Sequence, residues 1–192
     1  GLVVTGPNQL WVSDITYIDI EGDSDYLHLV TDAYSHKIIG WCLADSLSAR
    51  HTLEALRMAI RQTGKDDLSG LIHHSDRGIQ YCCNAYVEEL ELHHISISMT
   101  EDYKPTDNAI AERVNGIIKQ ELIYRRKRFA SHEEAYEAIE RFITFYNDSR
   151  PHMSIDYQTP SVAHQQVGTQ QRHWKGYQER CQQNQYNICQ SI

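Results

Sequence analysis

Hydrophobic and polar residues alternate along residues 10–20, which is the pattern of a half-buried β-strand. One face of this strand would carry Val12, Asp14, Thr16 and Ile18, and the other would carry Trp11, Ile15 and Tyr17. Two more strands are predicted at residues 26–33 and 37–44, with a polar turn near Ser35 and His36 between them. Because that connection is short, we expect an antiparallel hairpin.

The period then lengthens to that of a helix. Ala49, Leu53, Leu56 and Ile60 recur at helical spacing, and Gly64 is a plausible stop. Residues 68–75 predict a fourth strand, residues 81–92 a short helix and residues 95–99 a fifth strand. Further helices are predicted from about Asp107 and from a capping box at Ser131 and Glu134. The helix after Ser131 is expected to bury Tyr136, Ile139, Phe142, Ile143 and Tyr146. This order predicts an α/β fold with a mixed five-stranded sheet flanked by helices.

Length and composition are those of one globular domain with a tail. The chain has 192 residues, of which 41% are hydrophobic and 23% charged. We place the domain at residues 1–164 and a glutamine-rich C-terminal arm at residues 165–192. The net charge of −8 argues against binding of nucleic acid by bulk positive charge. Charge is nevertheless distributed unevenly. Every Lys, Arg, Asp or Glu in residues 1–25 is acidic, whereas residues 113–128 form a basic stripe.

The cysteines favour a reduced, cytoplasmic protein. Five cysteines without an even framework do not predict disulfides. Cys82, Cys83, His93 and His94 could suggest zinc, but they lack the usual ligand spacing. No uncharged apolar run reaches the roughly 18 residues of a membrane span. The chain begins with Gly1, from which we expect a preceding N-terminal part.

Three carboxylates are placed where this fold could bring them together. Asp14 lies within the first strand, Asp76 at the carboxyl end of the fourth, and Glu112 on the first turns of a helix. Lys119 shares the helix face of Glu112, and Gly116 leaves room there for another backbone. Crowded carboxylates repel one another unless a cation lies between them, and oxygen ligands select Mg²⁺ or Mn²⁺. Two such ions would suit displacement at a phosphodiester, and Lys119 could hold a phosphate.

Four sequence blocks around these residues carry a family resemblance. They read WVSDITYI, HHSDRGIQY, DNAIAERVNGIIKQEL and FYNDSRPHMSIDYQTP, and 35 residues separate Asp76 from Glu112. Residues 11–160 thereby resemble the catalytic, integrase core domain of insertion-sequence transposases of the IS-three family, relatives of retroviral integrases. The resemblance implies a ribonuclease H-like fold, with Asp14, Asp76 and Glu112 holding two Mg²⁺ or Mn²⁺ ions and Lys119 completing the motif.

The implied function is DNA transposition and integration, in which DNA is nicked and the freed 3′ hydroxyl attacks another phosphodiester. Implied partners are DNA, further copies of the chain on DNA, and a DNA-recognition domain preceding this one; a membrane is not among them. Two alternatives stay open: a ribonuclease H-like nuclease without strand transfer, and a DNA-binding domain without catalysis. Supplying a DNA end with a 3′ hydroxyl together with target DNA distinguishes a transferase from these alternatives, because only a transferase joins the two DNAs.

Other residues are assigned by position. We expect DNA contacts from Lys119 and from five further basic side chains: Arg77, Arg125, Arg126, Lys127 and Arg128. Either His73 or His74 could orient metal ligands, although strand packing also explains them. Asp107 is expected to cap the Glu112 helix rather than to bind metal, and the resemblance assigns no metal role to Asp32. Thr106 occupies the place of a family tyrosine, which affects the expected contacts with flanking DNA. The sequence does not show what physical role the block Arg150–Pro151–His152 has, and structural anchoring is one interpretation.

Overall fold

A five-stranded mixed sheet is the centre of the fold. The computed structural model describes residues 3–99, 109–123 and 128–170. The strands are β1 (Leu10–Ile20), β2 (Asp23–Asp32), β3 (Ile38–Ala44), β4 (Ile72–Ser75) and β5 (Ser96–Met99). Their order across the sheet is β3-β2-β1-β4-β5. The mixed five-stranded sheet predicted from the sequence is therefore confirmed.

Helices cover both faces of this sheet. They are α1 (Ala49–Thr63), α2 (Asn84–Leu92), α3 (Ala109–Ile118), α4 (His132–Asp148) and the short α5 (Pro160–Ala163). A π-helical segment, Lys119–Ile123, continues α3, and a 3₁₀ turn, Met153–Ile155, follows α4. The start predicted for α3 at Asp107 lies outside the described residues. Of the helices that the structure describes, none has the length and apolar character needed to cross a bilayer.

Local signals in the sequence determine where several elements begin and end. The Ser131 hydroxyl accepts a hydrogen bond from the Glu134 amide at 3.2 Å, and the Glu134 carboxylate accepts one from the Ala130 amide at 2.7 Å. This confirms the predicted capping box. Helix α1 ends at Gly64, whose φ of 65° is the left-handed conformation that a glycine C-cap favours.

Two hydrophobic cores lie on the two faces of the sheet. The α1–α2 core contains Trp11, Val30, Leu56, Tyr86 and Leu90, among others. The α3–α4 core contains Ile18, Leu29, Val114, Ile118 and Tyr146, among others. Side chains alternate between the two cores along β1, as the sequence pattern predicts, so neighbouring residues of β1 face different helices.

Three local expectations differ from the structure. Strand β4 begins at Ile72 rather than at residue 68, because the Asp67 carboxylate accepts a hydrogen bond from the Ser69 amide at 2.9 Å and forms a turn. Helix α2 begins at Asn84 rather than at residue 81. Tyr136 was expected to be buried, but it is 41% exposed and its ring lies 5.1 Å from that of Trp41 at the edge of the core. The predicted C-terminal arm lies outside the described residues from position 171 onward.

Candidate active site

The register of the sheet brings Asp14 and Asp76 to the same level. Strands β1 and β4 are parallel neighbours, and Val12 pairs with His74. Asp14 and Asp76 each follow two residues later, so they continue along adjacent strands in the same direction. Asp76 comes directly after the last residue of β4, at the carboxyl end where ligand sites of α/β sheets collect. The first and fourth strands are therefore neighbours, which is the condition under which their two aspartates can meet.

Asp14 is held by two hydrogen bonds in a half-buried position. Its Oδ1 accepts from the Ile15 amide at 2.8 Å, and its Oδ2 accepts from the Asn115 side-chain amide at 2.5 Å. Burial raises the pKa of Asp14, and the charge of Asp76 raises it further; the Ile15 amide, Lys119 and Asn115 oppose this rise. The two aspartates thus interact electrostatically, which is the behaviour expected of carboxylates that share a site.

Helix α3 contributes Glu112 and Asn115, and the π-helical segment that continues it contributes Lys119. Glu112 is exposed on the first described turn of α3, while Asn115 is buried against β1. Lys119 is the first residue of the π-helical segment, a kind of distortion that is frequent at functional sites. Its charge acts on the pKa of Asp14, so Lys119 lies near the aspartates.

The carboxylates of Asp14, Asp76 and Glu112 do not converge into one tight group. Within residues 3–99, 109–123 and 128–170, the three carboxylates do not form a group in which one oxygen of each lies within 4.8 Å of the others. The side chains that the structure brings together are Asp14, Asp76, Asn115 and Lys119. The donor set still fits a hard divalent cation, because two interacting carboxylates supply oxygen ligands and the buried Asn115 Oδ1 lacks a hydrogen-bond partner among the described residues.

A buried tyrosine, Tyr81, lies close to the two aspartates. Tyr81 is 2% exposed, and its hydroxyl has no hydrogen-bond partner in the described part of the chain. Burial raises the pKa of Tyr81, with Tyr86, Asp14 and Asp76 adding to the rise, so its hydroxyl stays protonated. No sequence signal pointed to Tyr81, which lies six residues after the end of β4 in a stretch without a recognisable motif.

The two histidines before Asp76 have packing contacts. His73 is fully buried, and its Nε2 lies 2.8 Å from the Ser13 hydroxyl and 2.9 Å from the Tyr86 hydroxyl. Burial lowers the pKa of His73 to about 3, so the ring is neutral. His74 Nδ1 lies 3.0 Å from the Ser98 hydroxyl on β5. These contacts favour the strand-packing interpretation of both residues.

The predicted basic contacts are only partly described. Arg77 is exposed directly after Asp76. Arg128 pairs with Asp19 at 3.2 Å, five residues or about 17 Å along β1 from Asp14. Arg125, Arg126 and Lys127 lie outside the described residues. Arg77 and Lys119 are thus the basic residues that the structure brings near the aspartates.

Comparison with known proteins gives a consistent result. A family model described as integrase core domain matches residues 4–105, and a second model of the same description matches residues 93–160. The chain belongs to the integrase core domain family. Together the two matches span nearly all of the described residues.

This integrase core domain is similar in sequence to insertion-sequence transposases. It is 38% identical over 147 residues to a Mycobacterium tuberculosis protein named for the transposase of IS986/IS6110, covering 75% of this chain and 53% of that protein. It is 36% identical over 159 residues to the IS904 transposase of Lactococcus lactis, covering 81% and 61%. It is 34% identical over 149 residues to the transposase InsF for IS3A of Escherichia coli, covering 77% and 51%. The chain spans about half the length of these relatives, and the predicted membership of the IS-three family is confirmed.

Solved structures of similar fold are retroviral integrases. The catalytic core domain of HTLV-2 integrase in complex with magnesium has a TM-score of 0.64 at 21% identity and covers 83% of this chain and 97% of its own. A chain of a simian T-cell lymphotropic virus intasome has a TM-score of 0.72 at 17% identity, and the match covers 92% of this chain and 62% of that one. The predicted ribonuclease H-like fold of this integrase core domain is confirmed.

The structure explains the family block Arg150–Pro151–His152. The Arg150 guanidinium donates hydrogen bonds to both oxygens of Glu121, at 3.0 and 3.1 Å from Nε and 2.6 Å from Nη2. His152 packs edge-on against Tyr146 with ring centroids 4.7 Å apart. In this integrase core domain, Arg150 thus ties the π-helical segment that begins with Lys119 to the end of α4. The anchoring interpretation is the one these contacts favour.

Asp32 has a structural position, in keeping with the absence of a predicted metal role. It is fully buried and accepts hydrogen bonds from the Asn8 amide at 2.7 Å and from the Ser35 amide and hydroxyl at 2.8 Å each. These bonds hold the turn between β2 and β3. The zinc pattern of Cys82, Cys83, His93 and His94 is not assembled among the described residues, since His93 contacts the Asp66 carbonyl and His94 the Asp67 carboxylate.

We expect Asp14→Asn to raise the free energy of unfolding of the metal-free domain at neutral pH. The folded-state pKa of Asp14 is raised, so this group's contribution to stability is fully present below its unfolded pKa of about 3.9 and is lost as pH rises through the folded value. Thermal unfolding in the presence of a chelator, measured from acidic to neutral pH, should show a difference between variant and wild type that grows with pH. A wild-type chain more stable than the variant at neutral pH would contradict this expectation, and Asp66→Asn, at an exposed carboxylate, is the control.

Proposed function

We propose that this chain is the catalytic core of a DNA transposition enzyme that nicks DNA and joins the freed 3′ end to a target. The observation that carries the proposal is the pair formed by Asp14 and Asp76 on adjacent parallel strands. The charge of Asp76 adds to the rise in the pKa of the half-buried Asp14, and such a pair of carboxylates is stabilised by a cation between them. Similarity to insertion-sequence transposases supports the same chemistry.

Asp14, Asp76 and Glu112 are the proposed ligands of two Mg²⁺ or Mn²⁺ ions. When bound, the ions supply charge stabilisation to the attacking and leaving oxygens of a phosphodiester. Glu112 is exposed on the first described turn of α3. We propose that it completes the set of carboxylate ligands around the cations.

The remaining residues of the site orient ligands and hold DNA. Asn115 donates a side-chain hydrogen bond to Asp14 Oδ2 and so helps to fix the orientation of that carboxylate. Lys119, fixed through the Glu121–Arg150 ion pair, is placed to hold a phosphate near the aspartates. Arg77, with the run Arg125 to Arg128, is the proposed contact to the DNA backbone.

The larger assembly is also a proposal. Two DNA ends must be handled together in strand transfer, so we infer that several copies act on DNA, as the similarity to the integrase in an intasome supports. Because the chain spans about half of its relatives, recognition of specific DNA ends is assigned to a preceding domain. The cytoplasmic location expected from the cysteines stays a prediction.

The deciding experiment supplies the 192-residue chain with a labelled duplex bearing a free 3′ hydroxyl, a supercoiled plasmid and Mn²⁺. Joined products that disappear in chelator are the expected result. Plasmid nicking without joining would support the ribonuclease H-like nuclease instead. DNA binding with neither product, from a chain whose circular dichroism shows a folded domain, would support the non-catalytic alternative.

We expect Gly116→Ala to stabilise the fold while weakening DNA joining. A Cβ at position 116 meets no atom within 4 Å among the described residues, so alanine in α3 should raise the free energy of unfolding by about 0.5–1 kcal/mol. The same methyl group would stand on the face of Asn115 and Lys119, where DNA is proposed to approach. Thermal unfolding and the joining assay on one preparation measure both effects. Unchanged joining would show that Gly116 is not part of the proposed DNA-facing surface.

A further inference from the structure

A cysteine, a histidine and a glutamate lie together on the α1 side of the sheet, opposite the carboxylates. Cys42 is in β3, while His51 and Glu54 lie three residues apart on one face of α1. One ligand atom of each lies within 4.8 Å of the other two. In the part of the chain that the structure describes, this is the single group of three such side chains with this geometry.

The distances from Glu54 to the other two side chains match the ligand spacing around a tetrahedral ion. Cys42 Sγ lies 3.3 Å from Glu54 Oε2, and His51 Nδ1 lies 3.7 Å from the same oxygen. Ligands bound to zinc at about 2.0–2.3 Å in a tetrahedron stand roughly 3.3–3.8 Å apart. Arg50 holds the other oxygen, Oε1, at 3.3 Å, which leaves Oε2 directed toward Cys42 and His51. Because the Arg50 side chain is 80% exposed, its ion pair with Glu54 restricts the Glu54 carboxylate only slightly.

One ligand atom in this group lacks any other use. His51 Nδ1 is buried and has no hydrogen-bond partner among the described residues, because its distance from Glu54 exceeds that of a hydrogen bond. A buried polar nitrogen without a partner is unfavourable in a folded protein, so its presence calls for an explanation. A cation bound by its lone pair would satisfy it.

A neighbouring histidine, His28, packs beside the cluster without being one of its ligands. His28 lies directly opposite Cys42 in the pairing of β2 with β3, with its ring centroid 6.0 Å from that of His51. Its Nε2 donates to the Ser46 carbonyl at 3.2 Å, so its Nδ1 accepts from the Thr52 hydroxyl at 2.9 Å. Both ring nitrogens are therefore engaged, and His28 packs beside the cluster rather than joining it.

We propose that Cys42, His51 and Glu54 bind Zn²⁺, with the fourth tetrahedral position open. Sulfur and nitrogen ligands select zinc over the Mg²⁺ assigned to the carboxylates. A thiolate and a carboxylate together balance the charge of the ion, and the proton of the Cys42 thiol leaves to solvent on binding. The site is separate from the proposed catalytic centre, because Cys42 packs against the α1–α2 core while Asn115 and Asp14 meet on the α3 side.

The test uses Co²⁺ as a spectroscopic probe of the reduced 192-residue chain. Cobalt bound by a thiolate gives a sulfur-to-metal charge-transfer band, which the carboxylate centre cannot produce. We expect this band to appear at one equivalent and to be removed by Zn²⁺. Cys42→Ser should abolish it, and Glu54→Gln, at an exposed position, should weaken Co²⁺ binding by more than the roughly 10–100-fold that loss of an outer-shell partner costs.

Matched variants separate this site from other thiols and from misfolding. Cys82→Ser and Cys83→Ser should keep the band, and Zn²⁺ should raise the melting temperature of wild type but not of Glu54→Gln. The proposal is overturned if the folded wild type gives no band, if the band persists in Cys42→Ser, or if Zn²⁺ stabilises Glu54→Gln as strongly as wild type. Each readout is independent of DNA joining, so a failure here leaves the proposed function standing.

Discussion

Asp76→Asn should reduce DNA strand joining by at least about 10³-fold, equivalent to roughly 4 kcal/mol in the barrier. Asp76 is exposed at the end of β4 and interacts electrostatically with Asp14. Replacing its carboxylate by an amide removes one proposed cation ligand. It also removes the negative charge whose repulsion with Asp14 a bound cation would relieve. Its Oδ1 accepts a hydrogen bond from the Gly78 amide at 2.9 Å, which an asparagine carbonyl oxygen can also accept. We therefore expect activity to be lost while the fold is kept. The joining assay with Mn²⁺, together with thermal unfolding, measures both.

Two comparisons make this result specific. Asp14→Asn and Glu112→Gln should abolish joining as well, whereas Asp66→Asn, at an exposed carboxylate on the loop before β4, should join normally. Normal joining by any of the three site variants in a clean preparation would disprove the assignment of that residue. Loss of joining with all variants, including Asp66→Asn, would point instead to a preparation without activity.

Gly40→Ala should destabilise the domain by about 3 kcal/mol or more, which for a chain of this size lowers the melting temperature by roughly 6–12 °C. A Cβ on Gly40 would lie 2.1 Å from the Ala55 carbonyl oxygen and 3.0 Å from the Ala59 amide nitrogen. Both are backbone atoms of α1, so the clash is relieved only if α1 moves away from β3. Thermal or denaturant unfolding of the two chains measures the loss.

Gly116→Ala is the control for this second prediction, because it makes the same chemical change on the open face of α3 and should raise stability slightly. A Gly40→Ala chain as stable as wild type would mean that β3 and α1 do not approach as closely as described. The prediction also bears on the zinc proposal, since the approach of α1 to β3 is what brings His51 and Glu54 to Cys42. Reduced Co²⁺ affinity of Gly40→Ala is therefore expected.

Elements with a strong local signal could be predicted from the sequence. The alternation in residues 10–20, the capping box at Ser131 and the glycine stop at Gly64 each reflect interactions within a few residues, and the structure confirms them. Weaker local signals failed, as at the start of β4, where a turn made by the Asp67 side chain ends the apparent strand pattern.

The candidate site divides in the same way. Asp14, Asp76, Glu112 and Lys119 could be named from residue type, spacing and family resemblance, because their roles depend on chemistry that those patterns carry. Asn115 could not be assigned to Asp14, nor Arg150 to Glu121, since these pairs are 101 and 29 residues apart and meet only through packing.

By itself, the sequence determined the elements, the two faces of β1, the family and the carboxylates proposed for catalysis. The tertiary structure decided which strands are neighbours, that the carboxylates of Asp14, Asp76 and Glu112 do not form one tight group, and that Cys42 meets His51 and Glu54 across the contact between β3 and α1. The physical reason is that secondary structure follows from interactions between residues close in the chain, whereas strand order and helix packing depend on the burial of whole faces.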